Sequence, residues 1–454
     1  MKFSSKSVAV ILATTVAAAT LLVSPSADGH GLRVRDNPKN LRTQSDAVPT
    51  PSTPLAPTEY VREALDFIAA TAFRLGGIDW RAIRLEAEAK ARLAPSTEDA
   101  YEVIVDTLKA INDKHSSFTR PPQAELQTTG SYNGYGFVAV WPSKIVVTVA
   151  NGSPSAKAGL RTGDRIAKID GKPPLHNETN IVVPRDRKGD FPPAIVVSVL
   201  RKGLRNTRNI PIVLGSVTLV SVPTASVVVP PKIGGAVGAF GYIDVPGIIG
   251  DGAAQKQYAQ TLQDAIRSTD TTPRCGWVVD LRRNRGGYIY AMLNGLGPLL
   301  GSGPVAGQLN ASGTRTMWSY IDGTLFSGDT ATVVIDQPYR IVNANAAIAV
   351  LTSGLTASAG EATTIAFRTR ATTRSFGERT TGLTTFNVRK RMPDGAFLDI
   401  LNAVDIDRNG TIYDGPVPPD QFVGIDWTNI GNQKDPVLTA ATRWLGEQPS
   451  CKQS

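Results

Sequence analysis

The sequence is poor in residues that bind metals and in long apolar segments. Its 454 residues include only two cysteines and three histidines, and their positions match no metal-ligand spacing. Beyond the amino terminus, no stretch approaches the roughly 20 apolar residues that a spanning helix needs. The net charge of +9 is spread along the chain without a Lys/Arg block or an aromatic-interleaved basic stripe. We therefore expect no metal site, no nucleic-acid partner and no stable membrane insertion.

The amino terminus has the layout of a secretory signal peptide. Lys2 and Lys6 precede an apolar run of small residues from Ser7 to Val23, and small residues follow. This pattern predicts a signal peptide over residues 1–26. An uncleaved anchor is the alternative, which the short run disfavours. The protein is thus expected to be exported, to a periplasm or to the external medium.

The two cysteines, Cys275 and Cys451, form an even pair in a chain with an export signal. Disulfides persist in oxidising compartments, so the pair predicts one disulfide that ties the carboxyl-terminal tail to the body of the protein. Two buried free thiols are the alternative.

Composition and periodicity divide the rest of the chain into four segments. Residues 27–56 are polar and rich in proline, which predicts a disordered linker, and residues 57–128 have helical periodicity. Residues 129–215 contain short β-type runs between glycines and prolines. Residues 216–454 alternate strands with helices, which is typical of an α/β core.

The segment T-A-S-A-G-E, Thr356–Glu361, directly follows a predicted strand over Ile348–Leu351. A serine at such a strand-to-helix turn has an exposed hydroxyl, and the first N–H groups of the helix can stabilise a developing oxyanion. The same spacing of Ser358 and Glu361 is that of a capping box, in which the serine only satisfies the helix end.

The segment D-L-R-R-N-R-G-G, Asp280–Gly287, follows the predicted strand Trp277–Leu281. Its two glycines permit the backbone to approach a ligand closely. An ordinary turn after a strand is the alternative.

The segment D-K-H-S-S-F, Asp113–Phe118, contains His115. Histidine is the side chain best suited to moving a proton near neutral pH. The alternative is a histidine that interacts with the carboxyl end of a helix.

The β-rich segment contains G-Y-G-F, formed by Gly134, Tyr135, Gly136 and Phe137, and a longer motif over Ser153–Gly171. Successive N–H groups in a loop flanked by glycines can bind a carboxylate, while a neighbouring strand edge accepts an extended peptide.

In their order along the chain, the four segments resemble the C-terminal processing (tail-specific) serine peptidase family. Three further motifs contribute to the resemblance: G-Y-I-D-V-P at 241–246, G-E-R-T-T-G at 377–382 and D-G-P-V-P-P-D at 414–420. The resemblance implies an α/β peptidase core of crotonase-like (spiral ββα) architecture over 216–454. It also implies an N-terminal helical region over 57–128 and an inserted PDZ domain over 129–215.

The resemblance also assigns roles to residues. Ser358 falls on the family's nucleophile, the N–H of Ala359 on one oxyanion donor, and the pair Gly286 and Gly287 on the other. No metal or organic cofactor is implied.

The base departs from the commonest pattern of the family. Many members carry a lysine after G-x-x-T-x-G, but Leu383 follows Gly382 here. The sequence is instead similar to the tricorn and nisin-resistance branch, which uses a histidine from a D-x-H-S region, and this implies His115. Asp414 is the candidate for an acidic residue that orients the imidazole. Lys390 is a reserve base.

The resulting hypothesis is an exported serine endopeptidase that cleaves polypeptides by acyl transfer through Ser358 and His115. Its PDZ domain would bind substrate C-termini through Gly134–Phe137. One alternative is an inactive protein on the same scaffold that binds peptides or hydrophobic ligands, and another is an esterase. The sequence leaves the natural substrate and the oligomeric state open.

Overall fold

The chain was analysed as a computed structural model. It describes residues 55–452 apart from 178–179, 185, 187–189, 219–221, 229–238 and 272–273. The predicted signal peptide and all but the last two residues of the predicted linker lie outside the described residues.

The N-terminal region is helical, as its periodicity predicts. Its elements are α1 (Pro57–Thr71), α2 (Trp80–Leu93), α3 (Thr97–Ile111), β1 (Ser117–Thr119) and α4 (Pro121–Thr128). Ser96 caps α3, accepting a hydrogen bond from the N–H of Asp99 at 3.2 Å. The hydroxyls of Tyr60 and Tyr101 both donate to Asp394 of the core, at 2.9 and 2.5 Å. These partly buried bonds fix the helices against the core.

The inserted β-rich unit begins and ends at one place. Its elements are β2 (Ser131–Gly134), β3 (Phe137–Ala139), β4 (Val146–Val149), α5 (Pro154–Ala158), β5 (Arg165–Ile169), β6 (Leu175–His176), β7 (Ile181–Val182), β8 (Ala194–Leu200), β9 (Arg208–Val213) and β10 (Gly215–Thr218). Strand β10 pairs antiparallel with β2, with Gly215 opposite Gly134. The chain therefore leaves the unit beside the point where it entered.

The remaining described residues form the core. Its elements are β11 (Thr224–Val228), β12 (Phe240–Asp244), α6 (Gly252–Thr269), β13 (Gly276–Asp280), α7 (Ile289–Gly295), α8 (Gly297–Leu300), β14 (Gly303–Asn310), β15 (Arg315–Ile321), β16 (Thr324–Ser327), β17 (Thr330–Val334), β18 (Ala347–Thr352), α9 (Ala359–Arg368), β19 (Thr373–Gly377), β20 (Thr385–Arg391), β21 (Phe397–Asp407), β22 (Ile412–Tyr413), β23 (Gln421–Phe422), α10 (Pro436–Gly446) and α11 (Pro449–Lys452).

A six-stranded sheet positions the candidate residues. Its order is β11-β12-β13-β18-β19-β23, and every pairing from β12 onward is parallel. Strands β13 and β18 are neighbours, with Asp280 opposite Leu351. Because parallel neighbours end at the same edge of a sheet, the loops after these two strands meet there, where α/β proteins commonly bind ligands.

A second, eight-stranded sheet brings the end of the N-terminal region to the core. Strand β21 pairs with β14 and β20, and also with β1, which begins two residues after His115. The side-chain amide of Asn387 in β20 donates to the main-chain oxygen of His115 at 2.9 Å. These pairings hold His115 beside β20.

The two cysteines meet at the other end of the six-stranded sheet. The sulfur atoms of Cys275 and Cys451 lie 2.12 Å apart, at disulfide distance, and both residues are buried. Cys275 directly precedes β13, so the pair lies at the amino ends of the parallel strands. The structure therefore has the pairing that the cysteine count predicts.

Candidate active site

Ser358 occupies a strained turn between β18 and α9. Its backbone angles are φ 51° and ψ −120°, and its side chain is half-buried. An ordinary helix N-cap has a negative φ in the extended region. A non-glycine residue in a rare backbone conformation costs about 1–3 kcal/mol and is concentrated at functional sites. The turn thus has the strand-turn-helix geometry that exposes a nucleophilic serine.

The capping box at this turn rests on main-chain contacts. The N–H of Ser358 donates to Glu361 Oε2 at 3.0 Å. The N–H of Glu361 donates to the main-chain oxygen of Ser358 at 2.7 Å, and the Ser358 side chain lies in the capping-box position beside the same N–H. The regular hydrogen bond at this helix end is thus made by the main-chain oxygen rather than by the hydroxyl.

Glu361 connects the serine turn to the loop over residues 380–383. Its carboxylate is fully buried and also accepts from the Thr380 hydroxyl at 2.5 Å and from the N–H groups of Gly382 and Leu383, each at 2.7 Å. Burial raises the pKa of Glu361, and its hydrogen bonds oppose that rise. One side chain thus holds two loops of the site together.

Gly286 packs directly on the serine turn. A Cβ atom added there would lie 2.8 Å from the Cβ of Ser358, which leaves room only for glycine. Its N–H donates to Asn284 Oδ1 at 2.9 Å, and Asn284 Nδ2 donates to the main-chain oxygen of Val245 at 3.0 Å. The N–H of Gly286 is therefore already engaged.

Gly287 and Ala359 keep their N–H groups available. Neither N–H has a hydrogen-bond partner among the described residues. Gly287 is exposed, and a Cβ atom added there would lie 1.8 Å from the main-chain oxygen of Ile248. Ala359 directly follows Ser358, and Gly287 directly follows Gly286, which packs on the serine turn, so both amides belong to the two loops that meet there.

His115 follows α3 in a turn organised by a carboxylate. Asp113 Oδ1 accepts from the N–H groups of His115 and Ser116, at 3.0 and 2.7 Å. His115 Nδ1 lies 2.5 Å from Thr385 Oγ1. Burial lowers the pKa of His115, and the charges of Asp113 and Asp399 partly offset that decrease. The imidazole is therefore biased towards its neutral form.

Ser358 and His115 share no hydrogen bond within the part of the chain that the structure describes. They are connected through Glu361, which binds the N–H of Leu383, and through Thr385, two residues further on, which contacts the imidazole. Sequence motifs some 240 residues apart are thus brought to one region.

Asp414, the candidate to orient the imidazole, and Lys390, the reserve base, are paired with other residues. Asp414 forms an ion pair with Arg74 and has no hydrogen bond to His115 among the described residues. Lys390 Nζ lies 2.9 Å from Glu63 and 5.7 Å from the centroid of the Phe67 ring. The polar contact that the imidazole ring makes is with Thr385 rather than with an acidic residue.

Comparison with known proteins relates the core to a family. Residues 239–423 match the model of peptidase family S41, and residues 145–182 match a PDZ domain. The core is thus similar to peptidase family S41. The resemblance drawn from the motifs is confirmed, and the matches support the predicted class of a serine-type peptidase.

Two relatives illustrate the range of similarity to this chain. A nisin-resistance protein of Lactococcus lactis subsp. lactis is 31% identical over 179 residues, which are 39% of this chain and 54% of that protein. A chloroplastic C-terminal processing peptidase of Tetradesmus obliquus is 26% identical over 348 residues, 70% of this chain and 68% of that protein. The chain thus spans about half the length of the first relative and about two thirds of the second.

Solved structures share the fold. The photosystem II D1 C-terminal processing protease superposes with a TM-score of 0.54 at 19% identity, covering 87% of this chain and 99% of that one. A lipoprotein from Streptococcus agalactiae gives 0.51 at 17% identity, covering 82% and 93%. The predicted fold class, an α/β peptidase core with a helical N-terminal region and an inserted PDZ domain, is confirmed.

The predicted carboxylate-binding loop lies at the start of the PDZ unit. Gly134 ends β2, Phe137 begins β3, and the Tyr135 hydroxyl donates to the main-chain oxygen of Pro192 at 2.5 Å. The main-chain oxygen of Gly136 accepts from the N–H of Ala150 at 2.8 Å. The side chain of Tyr135 therefore supports the unit from inside.

The edge of β3 is partly covered. Val140, directly after this strand, forms an antiparallel bridge with Asn180. A peptide that adds to β3 would therefore meet the segment containing β6 and β7.

A cleft of about 800 Å³ lies where the N-terminal region, the PDZ unit and the core meet. Gly354 and Leu355 lie in the loop between β18 and α9, here called the serine loop, and form part of the wall of the cleft. Its other lining residues are Arg74, Asn112, Asp113, Lys114, Val140, Trp141, Pro142, Asn177, Glu378, Arg379, Thr380, Thr381, Gly382, Leu383, Thr385, Asp414, Gly415, Pro416 and Trp427. The cleft is large enough for several residues of a peptide.

Sequence reasoning missed two residues of the site. Asn284 lies inside the glycine motif, but only the structure shows that its side chain occupies the N–H of Gly286. Thr385 belongs to no motif, and its contact with His115 joins positions 270 residues apart. No local signal could have identified Thr385.

Among the described residues, no helix is both long and apolar enough to cross a membrane. In the same residues, no group of three or more His, Cys, Asp or Glu side chains is placed to hold a metal ion.

Proposed function

We propose that this chain is an exported serine endopeptidase that hydrolyses polypeptides by acyl transfer, with Ser358 as nucleophile and His115 as base. The observation that carries the proposal is the conformation of Ser358, with φ at 51°. The N–H groups of Ala359 and Gly287, in the two loops that meet at this turn, have no partner among the described residues. A strained serine turn beside free donors fits a nucleophile and its oxyanion site better than a helix cap.

The reaction begins with attack on a peptide carbonyl. The Ser358 oxygen bonds to the carbonyl carbon while His115 takes the proton of the hydroxyl. The carbonyl oxygen becomes an oxyanion, which the N–H groups of Ala359 and Gly287 stabilise. The C–N bond then breaks, and the imidazolium returns the proton to the leaving amine. Water attacks the resulting ester with His115 again as base, releasing the acid and restoring the serine.

The choice of His115 rests on what surrounds the alternatives. Leu383 occupies the position of the lysine in the commoner motif, and the ammonium of Lys390 pairs with Glu63. If His115 Nδ1 donates to Thr385 Oγ1, Nε2 is left as the basic nitrogen. Catalytic contacts are often long in free enzymes and shorten with substrate, so the missing Ser358–His115 bond is compatible with this role. Asp414 is less suited to orient the ring, because it pairs with Arg74.

The substrate class follows from the PDZ unit and from the relatives. PDZ domains bind extended peptides by strand addition, and C-termini are their usual ligands. Two relatives are named for C-terminal processing. We therefore propose that Gly134–Phe137 receive the C-terminus of a polypeptide and present the preceding chain to Ser358. Export rests on the amino-terminal sequence and the cysteine pair.

Labelling with a fluorophosphonate followed by peptide mapping tests the nucleophile. We expect modification of Ser358 alone, and Ser358→Ala should abolish both labelling and cleavage of unfolded proteins. The control is Ser268→Ala, which removes an exposed serine at the end of α6 and should change neither.

The outcomes separate the candidate functions. Fragments from unfolded proteins support the peptidase. Peptide binding without cleavage would show an inactive binding protein, and turnover of esters alone would show an esterase. Full proteolysis by Ser358→Ala would refute the catalytic role.

A further inference from the structure

The carboxylates that line the cleft beside the serine loop are all engaged. Asp113 accepts two main-chain N–H groups of its own turn. Glu378 Oε1 accepts from the N–H of Ile425 at 3.2 Å, and Asp414 is paired with Arg74. These bonds orient the three carboxylates, and the ion pair with Arg74 offsets the charge of Asp414.

Two cations in the same wall have no such partner. Lys114 and Arg379 are exposed, and in the part of the chain that the structure describes neither side chain has an ion pair or a hydrogen bond. The ammonium of Lys114 and the guanidinium of Arg379 are therefore open to a ligand in the cleft.

The backbone of each cation is held beside a loop of the candidate active site. Lys114 directly precedes His115 and has a φ of 66°, a conformation that non-glycine residues rarely adopt and that the Asp113 turn maintains. Arg379 directly precedes Thr380, whose hydroxyl binds Glu361. Their backbones are thus as well anchored as the catalytic loops.

Apolar side chains line other parts of the same cleft. Val140, Trp141, Leu355 and Trp427 are among its lining residues, and the Trp141 ring stacks on His176 with 3.6 Å between centroids. A peptide bound over these side chains would exclude water and strengthen the attraction between a cation and a carboxylate of the peptide.

We propose that Lys114 and Arg379 form a binding site for a carboxylate of the substrate, within reach of the serine loop. The group is either the C-terminal carboxylate of a short polypeptide end or the side chain of Asp or Glu near the cleaved bond. This inference rests on the proposed function, because it treats the cleft as the path of the substrate to Ser358.

The test compares four peptides that differ only in charge: C-terminal acid or amide, each with Glu or Gln near the cleaved bond. Whole protein carrying Lys114→Gln and Arg379→Gln together is measured against wild type. We expect wild type to prefer one carboxylate form in kcat/KM, by about two- to fivefold for each cation, the scale of a partly solvated ion pair. The double variant should lose this preference, and salt should weaken it in wild type.

The peptide series distinguishes the two sources. A preference for the acid terminus identifies the C-terminus, and a preference for Glu identifies a side chain. The control variant is Arg205→Gln, an exposed arginine between β8 and β9 that does not line the cleft. It should keep the wild-type preference.

Binding keeps the proposal testable if no peptide is cleaved. Ser358→Ala protein should bind the carboxylate peptide more tightly than its neutral analogue, and adding both Gln substitutions should abolish the difference. Equal binding or equal cleavage of all four peptides by wild type would overturn the carboxylate site. If wild type cleaves all four peptides equally, the carboxylate site is refuted and the peptidase proposal stands. If wild type cleaves none of them but the carboxylate peptide still binds more tightly, only the peptidase proposal is refuted.

Discussion

The burial of His115 sets the protonation state in which the protein can act as a base. Desolvation disfavours the imidazolium and lowers the pKa of His115, while Asp113 and Asp399 stabilise the charge to a smaller extent. Asp399 also pairs with Arg389, at 2.8 Å. The direction of the pKa shift favours a base that stays neutral over most of the physiological range.

Activity should therefore be retained to a lower pH than an ordinary histidine allows. The neutral imidazole is the active form, so kcat/KM falls as pH decreases through the pKa. Because that pKa is lowered, we expect the midpoint below about 6.5, with a plateau above it. The measurement is kcat/KM of wild type between pH 4.5 and 9, with pH stability checked separately.

Two variants check the assignment. Asp399→Asn removes a charge that supports the imidazolium and should move the midpoint to still lower pH. His115→Ala should reduce turnover by about 10²–10⁴-fold. Wild-type turnover in His115→Ala would contradict the base, and Lys390 would be the next residue to test.

At the scale of elements, Glu361 connects the start of α9 to the loop that leads into β20. Its carboxylate accepts from the N–H of Ser358 on one side and from the N–H of Leu383 on the other. Thr385, two residues after Leu383, contacts His115. Glu361 is thus a positioning residue: it touches no reacting atom, but it fixes the distance between the serine turn and β20.

Glu361→Gln should lower both stability and turnover. In glutamine an NH₂ group replaces one of the two carboxylate oxygens. In either orientation of the amide, this NH₂ group faces a backbone N–H, which is then left without an acceptor. A buried donor without an acceptor costs about 1–3 kcal/mol. We expect a loss of that size in urea unfolding, together with a lower kcat and a smaller change in KM.

The matched control is Glu447→Gln, which changes an exposed glutamate after α10 and should affect neither quantity. Unchanged kcat in a folded Glu361→Gln variant would show that Glu361 serves only the helix end. Restoration of kcat by Glu361→Asp would be a further sign of positioning.

At the scale of the whole molecule, the two ends of the parallel sheet have separate tasks. The serine turn and the glycine loop follow the carboxyl ends of β18 and β13, whereas the cysteine pair lies at the amino end of β13. A strand of five residues separates the two ends by about 17 Å. The cysteine pair is therefore expected to affect stability rather than chemistry.

Replacing Cys275 and Cys451 with alanine together should destabilise the protein without changing kcat at 25 °C. The bridge spans 176 residues of sequence, and chain entropy gives an upper limit of about 5 kcal/mol for such a loop. Urea unfolding and peptide turnover of the double variant measure the two effects. Two freely alkylated thiols in native wild-type protein would contradict the disulfide.

Local patterns predicted the two parallel strands that lead into the candidate site. Strands β13 and β18 and the start of α9 were located within a residue or two, because buried apolar runs end at clear turn signals. The long strand β21 was not located. It is buried along most of its length, so it lacks the two-residue alternation that marks a half-exposed strand.

The sequence alone determined the serine turn, the glycine loop, the histidine motif and the cysteine pair, because each depends on a local pattern or a count. The tertiary structure decided which groups remain free to act. Asn284 occupies the N–H of Gly286 and leaves that of Gly287, Glu63 holds Lys390, and Thr385 contacts His115. Hydrogen bonds and ion pairs between distant segments depend on how the sheets bring those segments together, and no local pattern encodes them.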